Sequence, residues 1–176
     1  MKKIILPLFI IIIAAFGFAP ANTVTRSAIT FQTKNMGIGV SGSISGLQAN
    51  VQFNPANLAA STVEATVDVN TINTDNSTRD DHLKTDEFFD AARYPKITLK
   101  SVSFKHKNGN NYSGAFNLTI KNKTKLVEMP FTFTQKGNDM AFKGGFKLNR
   151  LDFGIGTSSL VLSDDVTVNI DAVVGN

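Results

Sequence analysis

The chain has 176 residues with no Cys and no Trp, 14 Phe and a formal charge of +4. The missing Cys excludes a disulfide-stapled fold and a lipid-modified N-terminal cysteine, and with only His82 and His106 besides, zinc sites of the usual kind are hard to build. The lysines are scattered between Lys34 and Lys147 with no run dense enough to track a phosphate backbone, so no nucleic-acid partner is expected.

Lys2-Lys3, an apolar run from Ile4 to Phe18, and Ala19-Pro20-Ala21 follow the pattern of a secretory signal peptide. Cleavage is expected near Ala21, which makes residues 1–21 the signal and residues 22–176 one domain, located in the periplasm or secreted. Loss of Lys2 and Lys3 from the 18 Lys and Arg leaves 16 against 14 Asp and Glu, a formal +2.

Beyond the signal, nearly every segment alternates apolar and polar residues with period two, the mark of strands with one buried face. Ile29 and Phe31 share one side of the first. Gly37, Gly39, Gly42 and Gly46 then surround Val40, and glycines in a strand pattern suggest bulges or sharp coiling of a sheet that closes on itself. Leu47 to Phe53 ends at the Asn54-Pro55 turn. Val63, Ala65, Val67 and Val69 alternate with Thr62, Glu64, Thr66 and Asp68.

The alternation fails from Asn70 to Tyr94. A short helix is expected after Thr74-Asp75-Asn76-Ser77, capped by Asp75 or Ser77. Asp80, Asp81 and His82 lie on it, followed by Phe88-Phe89, and Tyr94-Pro95 restarts the sheet. Two readings stay open: a carboxylate–histidine site with Asp86 or Asp90, or a clasp in which Asp80 and His82 hold the insertion down by hydrogen bonds. Phe88 and Phe89 are expected to face inward across one end of the barrel.

Ile97 and Leu99, then Val102 and Phe104, slip in phase, which implies a bulge. After the Asn108-Gly109 turn come strands with Phe116 and Leu118, with Phe131 and Phe133, with Phe142 and Phe146, and lastly with Ile170. His106, beside that turn, reads as a solvated surface residue. Arg150 admits two readings, a ligand for an anionic head group or one half of an Arg–Asp pair that pins a loop; Phe153 follows it.

About eight to ten strands joined mostly by short hairpins fit a sandwich or an up-and-down barrel. Long strands and nearest-neighbour connections favour an all-β, antiparallel, up-and-down barrel of about eight strands with a short helical insertion. Such a barrel either fills its interior with side chains or holds one ligand. Ala65, Gly114 and Gly144 on the apolar face leave room. No phosphate loop and no calcium loop is present, so no metal, cofactor or catalytic residue is assigned.

Arg79-Asp80, His82-Leu83, Phe88-Phe89-Asp90, Tyr94-Pro95, Leu118-Thr119-Ile120, Arg150-Leu151-Asp152-Phe153-Gly154-Ile155 and Leu162-Ser163-Asp164-Asp165-Val166 stand in an order and spacing that resembles the YceI-like family, lipocalin-like periplasmic proteins that bind polyisoprenoids. Asn122 departs from the family's usual Gly, and Asn35 from a frequent His. The resemblance implies a barrel with an internal tunnel for an isoprenoid chain, of the quinone or polyprenyl phosphate type, held without catalysis. Transient membrane contact and a homodimer belong to the same expectation.

The residues expected to meet the ligand are Phe31, Val40, Val67, Phe88, Phe89, Leu99, Phe116, Leu118, Phe131, Phe133, Phe142, Phe146, Phe153 and Ile170, with Arg150 and His82 as the polar members. The alternatives are a lipid-modifying enzyme centred on Asp80, His82 and Arg150, or an envelope interaction protein with a filled barrel.

Overall fold

Alternating segments become strands wherever one face can be buried against the others, and here they form a single antiparallel ladder. The computed structural model describes residues 23–175; the expected signal segment lies outside them. The strands are β1 (Thr23–Asn35), β2 (Ile38–Ile44), β3 (Gln48–Gln52), β4 (Thr62–Asp68), β5 (Lys96–Asn108), β6 (Asn111–Ile120), β7 (Lys123–Lys136), β8 (Asp139–Asn149) and β9 (Asp165–Gly175). Their order is β2-β1-β9-β8-β7-β6-β5-β4-β3. From β3 to β9 this is a meander, and β1 joins it along β9.

The two ends of the ladder are consecutive in sequence. Every pairing is antiparallel, so β2 and β3 run the same way, and only Ser45, Gly46 and Leu47 separate them. Gly46 sits at φ +72°, a left-handed conformation that costs a glycine little. One bent strand therefore serves both edges: its first part pairs with β1, its second with β4. This brings the sheet back on itself as a barrel, with β1 approaching β3 across the seam, and explains nine strands where about eight were expected.

The insertion stitches that seam. Ser43 and Asn73 exchange backbone hydrogen bonds of 2.8 and 3.0 Å. The Thr71 hydroxyl accepts from the Ser45 N–H at 2.9 Å and donates to the Ser45 carbonyl at 3.1 Å. Helix α1 (Ser77–Lys84) is capped by Asn76, whose side-chain oxygen accepts from the Arg79 N–H at 2.9 Å. The expected caps Asp75 and Ser77 are thus corrected: Asp75 is at φ +58°, whereas a cap needs the extended backbone that Asn76 has. The Val69 N–H donates to the Pro95 carbonyl at 2.8 Å, and β5 begins at Lys96.

The phase slip in β5 is a bulge. Pairing with β6 jumps from Ser101–Phe116 to Ser103–Ala115, and the unpaired Val102 is exposed. The bulge changes parity, so Leu99 and Phe104 both face inward. One end of the barrel is closed by rings. Phe53 lies 4.7 Å from Phe133 and 5.2 Å from Phe104, with Tyr112, Phe131 and Phe142 also around it. Val51, Met140 and Val174 complete this cluster. The insertion and the segment between β8 and β9 cover the other end.

Candidate functional site: an apolar internal cavity

The interior is not filled. A cavity of about 250 Å³ lies between the ring-packed end and the insertion. Inward positions of the strands supply its wall: Phe31 from β1, Val67 from β4, Leu99 from β5, Phe116 and Leu118 from β6, Phe131 from β7, Phe142 and Phe146 from β8, Ile170 from β9. Ala65 and Gly144 line it as well; the small Ala65 leaves volume, whereas at Gly144 the Pro130 carbonyl and Phe131 stand where a Cβ would go. Gly114 does not line it, because the rings of Phe116 and Phe104 occupy the space above it.

The cover comes from irregular segments. Phe88 and Phe89 face the cavity from the insertion. The Gly156 N–H donates to the Glu87 carbonyl at 2.9 Å, and the Lys121 ammonium donates to the carbonyls of Asp86 and Gly154, each at 3.2 Å. These bonds join the insertion to the segment after β8. Gly156 itself lies against both Arg150 and Phe88, where an added Cβ would stand 3.0 Å from each.

Arg150 lines the cavity but is committed to protein. It is 3% exposed, and its guanidinium donates to the carbonyls of Ser163 at 3.0 Å, Ile155 at 2.8 Å, Thr157 at 2.8 Å and Leu162 at 3.4 Å, and to the Asp164 carboxylate at 2.8 Å. Of the two sequence readings of this residue, loop-pinning is the one the geometry supports. A buried cation needs such partners, because water no longer solvates it.

Four expected contacts lie away from the cavity. His82 points outward, its Nε2 2.9 Å from a Glu87 carboxylate oxygen and its ring 4.9 Å from that of Phe88. It braces the turn after α1. Phe133 is consumed by the ring cluster at the closed end. Phe153 is buried behind the wall among Val127, Met129 and Phe146, on a 3-10 turn, Arg150–Phe153, that no period-two pattern describes. Val40 shares the inward side of β2 with Gly42, but β2 extends past the cavity there, and Val40 borders a polar groove with Lys34, Lys147 and Asp165.

Sequence reasoning missed other wall residues. Ile29, Ile97, Ile120 and Val168 are in phase with residues it chose, so the same alternation would have found them. Leu83 comes from helix α1 and Ile155 and Leu162 from irregular segments, so none of them carried a period-two signal.

Asp80 is buried and accepts from the Thr74 N–H at 2.9 Å and from the Thr74 hydroxyl. Arg79 donates to the same Thr74, Nε to the hydroxyl at 2.7 Å and Nη2 to the carbonyl at 2.6 Å. The acids and His82 of this segment therefore do not converge on the cavity. Among the described residues no group of three or more His, Asp or Glu is arranged to hold a metal, and no helix is long and apolar enough to cross a membrane.

An all-antiparallel barrel with an apolar interior beneath a helical insertion can be compared with known proteins. The model of the YceI-like domain matches residues 22–174. The chain belongs to the YceI-like family. A UPF0312 protein of Yersinia pestis (strain Pestoides F) is 33% identical over 124 residues, which are 69% of this chain and 64% of that protein. The match thus spans less than two thirds of the length of these curated relatives.

Among solved structures, Burkholderia cenocepacia BcnA superposes on this YceI-like chain with a TM-score of 0.79 at 28% identity, covering 84% of this chain and 95% of its own. A Campylobacter jejuni YCEI protein gives 0.69 at 27%, covering 77% and 84%. A polyisoprenoid binding domain from Saccharophagus degradans gives 0.70 at 14%, covering 88% and 97%, and at that identity it bears on the fold alone.

Proposed function

We propose that the cavity receives a long apolar isoprenoid chain, and that the protein stores or carries such a lipid without transforming it. The carrying observation is the wall itself: Arg150 is the sole charged residue among those lining the cavity, and it is already engaged by five oxygens. A polyprenyl chain offers area and almost nothing else, at about 25 cal/mol per Å² removed from water. A tube of Phe, Val, Ile and Leu is the receptor that suits it. Membership of the YceI-like family supports the same reading.

Of the head groups expected from sequence, a quinone ring suits this interior better than a phosphate. A phosphate inside would lack a cation to neutralise it and would have to remain in water at the mouth. In this proposal the protein works in the periplasm, or is secreted, after cleavage near Ala21. Homodimer formation belongs to the proposal and not to the geometry of one chain.

Native mass spectrometry and solvent extraction of protein purified without detergent test the reading, which expects an adduct of isoprenoid mass. Phe88→Ala, which opens the cover, is expected to lower retention of added geranylgeraniol about tenfold, since a buried Phe contributes on the order of 1.5–3 kcal/mol of apolar contact. Protein that carries no lipid and retains no geranylgeraniol would sink the proposal.

A further inference from the structure

The open end carries an apolar surface that lies beyond the cavity. Along the β1–β2 hairpin, Ile29 pairs with Ile44, Phe31 with Gly42, Thr33 with Val40, and Asn35 with Ile38. Directly opposed residues share a face of the sheet. Ile29, Phe31, Thr33 and Ile44 line the cavity, so the inward row continues through Val40 to Ile38 after the wall has ended. Ile38 is 71% exposed, and Met36, at the turn, is 74% exposed.

A second loop lies beside this hairpin. Leu160 is fully exposed and Val161 half so. The loops form one unit: the Met36 N–H donates to the Val161 carbonyl at 2.7 Å, the Ser163 N–H donates to the Lys34 carbonyl at 2.9 Å, and Asn35 bridges to Leu162. Leu162 in turn lines the cavity. Single exposed apolar side chains are ordinary on soluble proteins. Here four of the six large exposed hydrophobics of the described residues share one tip.

Charge narrows the occupant. Lys34 is the sole charged residue from Lys34 to Asn54, and there is none from Phe153 to Ser163. The two turns hold no carboxylate, and the groove behind them carries Lys34 and Lys147 against Asp165, so the balance beside the tip is cationic and gains from an anionic lipid surface. Size argues the same way. A stable protein interface takes about 800 Å² from each partner in a packed patch, which four side chains on two convex turns do not supply. A bilayer accepts convex apolar tips, with apolar groups below the headgroups and cations among them.

We propose that Met36, Ile38, Leu160 and Val161 dock the protein on an anionic bilayer, with the end that the insertion covers toward the lipid. This rests on the reading of the cavity as a lipid site.

The test is co-sedimentation of the purified, processed protein with vesicles of phosphatidylethanolamine and phosphatidylglycerol. The Ile38→Ser/Leu160→Ser variant is expected to bind at least about tenfold more weakly, because two inserting side chains are lost. Lys34→Gln should flatten the salt dependence. Val102→Ser, at an exposed apolar residue elsewhere on the wall, should bind like the wild type. Circular dichroism checks that all variants fold.

Wild type that does not bind these vesicles overturns the docking surface, as does undiminished binding by the Ser variant. So does self-association that the Ser substitutions abolish while vesicles are ignored, which would assign the tip to a second copy. Retention of geranylgeraniol is measured separately, with no vesicles present. Wild type that binds vesicles but retains no geranylgeraniol overturns the cavity reading and leaves the docking surface standing.

Discussion

At the closed end of the barrel, Phe53 sits with its ring centroid between 4.7 and 5.8 Å from five other aromatic rings. At the open end, Phe88 and Phe89 come from a loop and face a void. The same residue type does two jobs, and its surroundings decide which. Phe53 meets Phe104, Tyr112, Phe131 and Phe142 edge to face, and rings packed on rings from several strands seal and stabilise that end. Phe88 and Phe89, carried by a loop, cover a cavity whose lid is tied by hydrogen bonds from the Gly156 N–H, the Lys121 ammonium and the Arg150 guanidinium. Stability should therefore concentrate at one end and ligand exchange at the other.

The largest expected effect follows from removing the centre of the ring cluster. Phe53→Ala should cost roughly 3–5 kcal/mol in urea unfolding, the usual range for a buried Phe, while the folded fraction still retains geranylgeraniol. A loss of retention with little loss of stability would break the division between the ends.

Arg150→Met should come next, at about 2–4 kcal/mol, because it leaves loop carbonyls and the Asp164 carboxylate without their donor. Hydrogen exchange should accelerate at Ile155 and Gly156 ahead of the strand amides. If exchange rises equally at the closed end, the cover is not a separate unit.

The smallest effect is electrostatic and concerns the root of the insertion. The carboxyl of Asp68 is held below its ordinary value of 3.8 first by the Asn70 backbone N–H, then by the Asn70 side-chain amide, with Lys96 helping. A depressed value in the folded state means that the group contributes stability above the ordinary pKa, and that this is lost as pH falls through the folded value. Asp68→Asn should lower thermal stability slightly at pH 7, and the deficit should vanish as pH falls below about 4, which flattens the acid side of the profile. An unchanged acid limb would remove Asp68 from the account.

The strand pattern was legible because period two is a local property. Phe116 with Leu118 and Phe142 with Phe146 could be placed on an inner wall from spacing alone, and the slip after Leu99 announced the Val102 bulge. Phe133 and Phe53 were not distinguishable from them, since a ring that plugs and a ring that lines obey the same alternation. His82 and Arg150 looked like chemistry because ionisable groups are rare in so apolar a pattern. Their partners, Glu87 for one and a loop of carbonyls for the other, lie in irregular backbone whose path no periodicity gives.

Alternation, turns and motif order were enough to place antiparallel strands with one apolar face, to favour a barrel over a sandwich, to locate the insertion between β4 and β5, and to show the family resemblance. The cavity in the interior, the bent strand of β2 and β3 that closes the sheet, and the meeting of four apolar tips at the end that the insertion covers appear only in three dimensions. Those depend on which side chains from distant strands compete for the same space, and on hydrogen bonds between loops more than a hundred residues apart in sequence, as between Met36 and Val161.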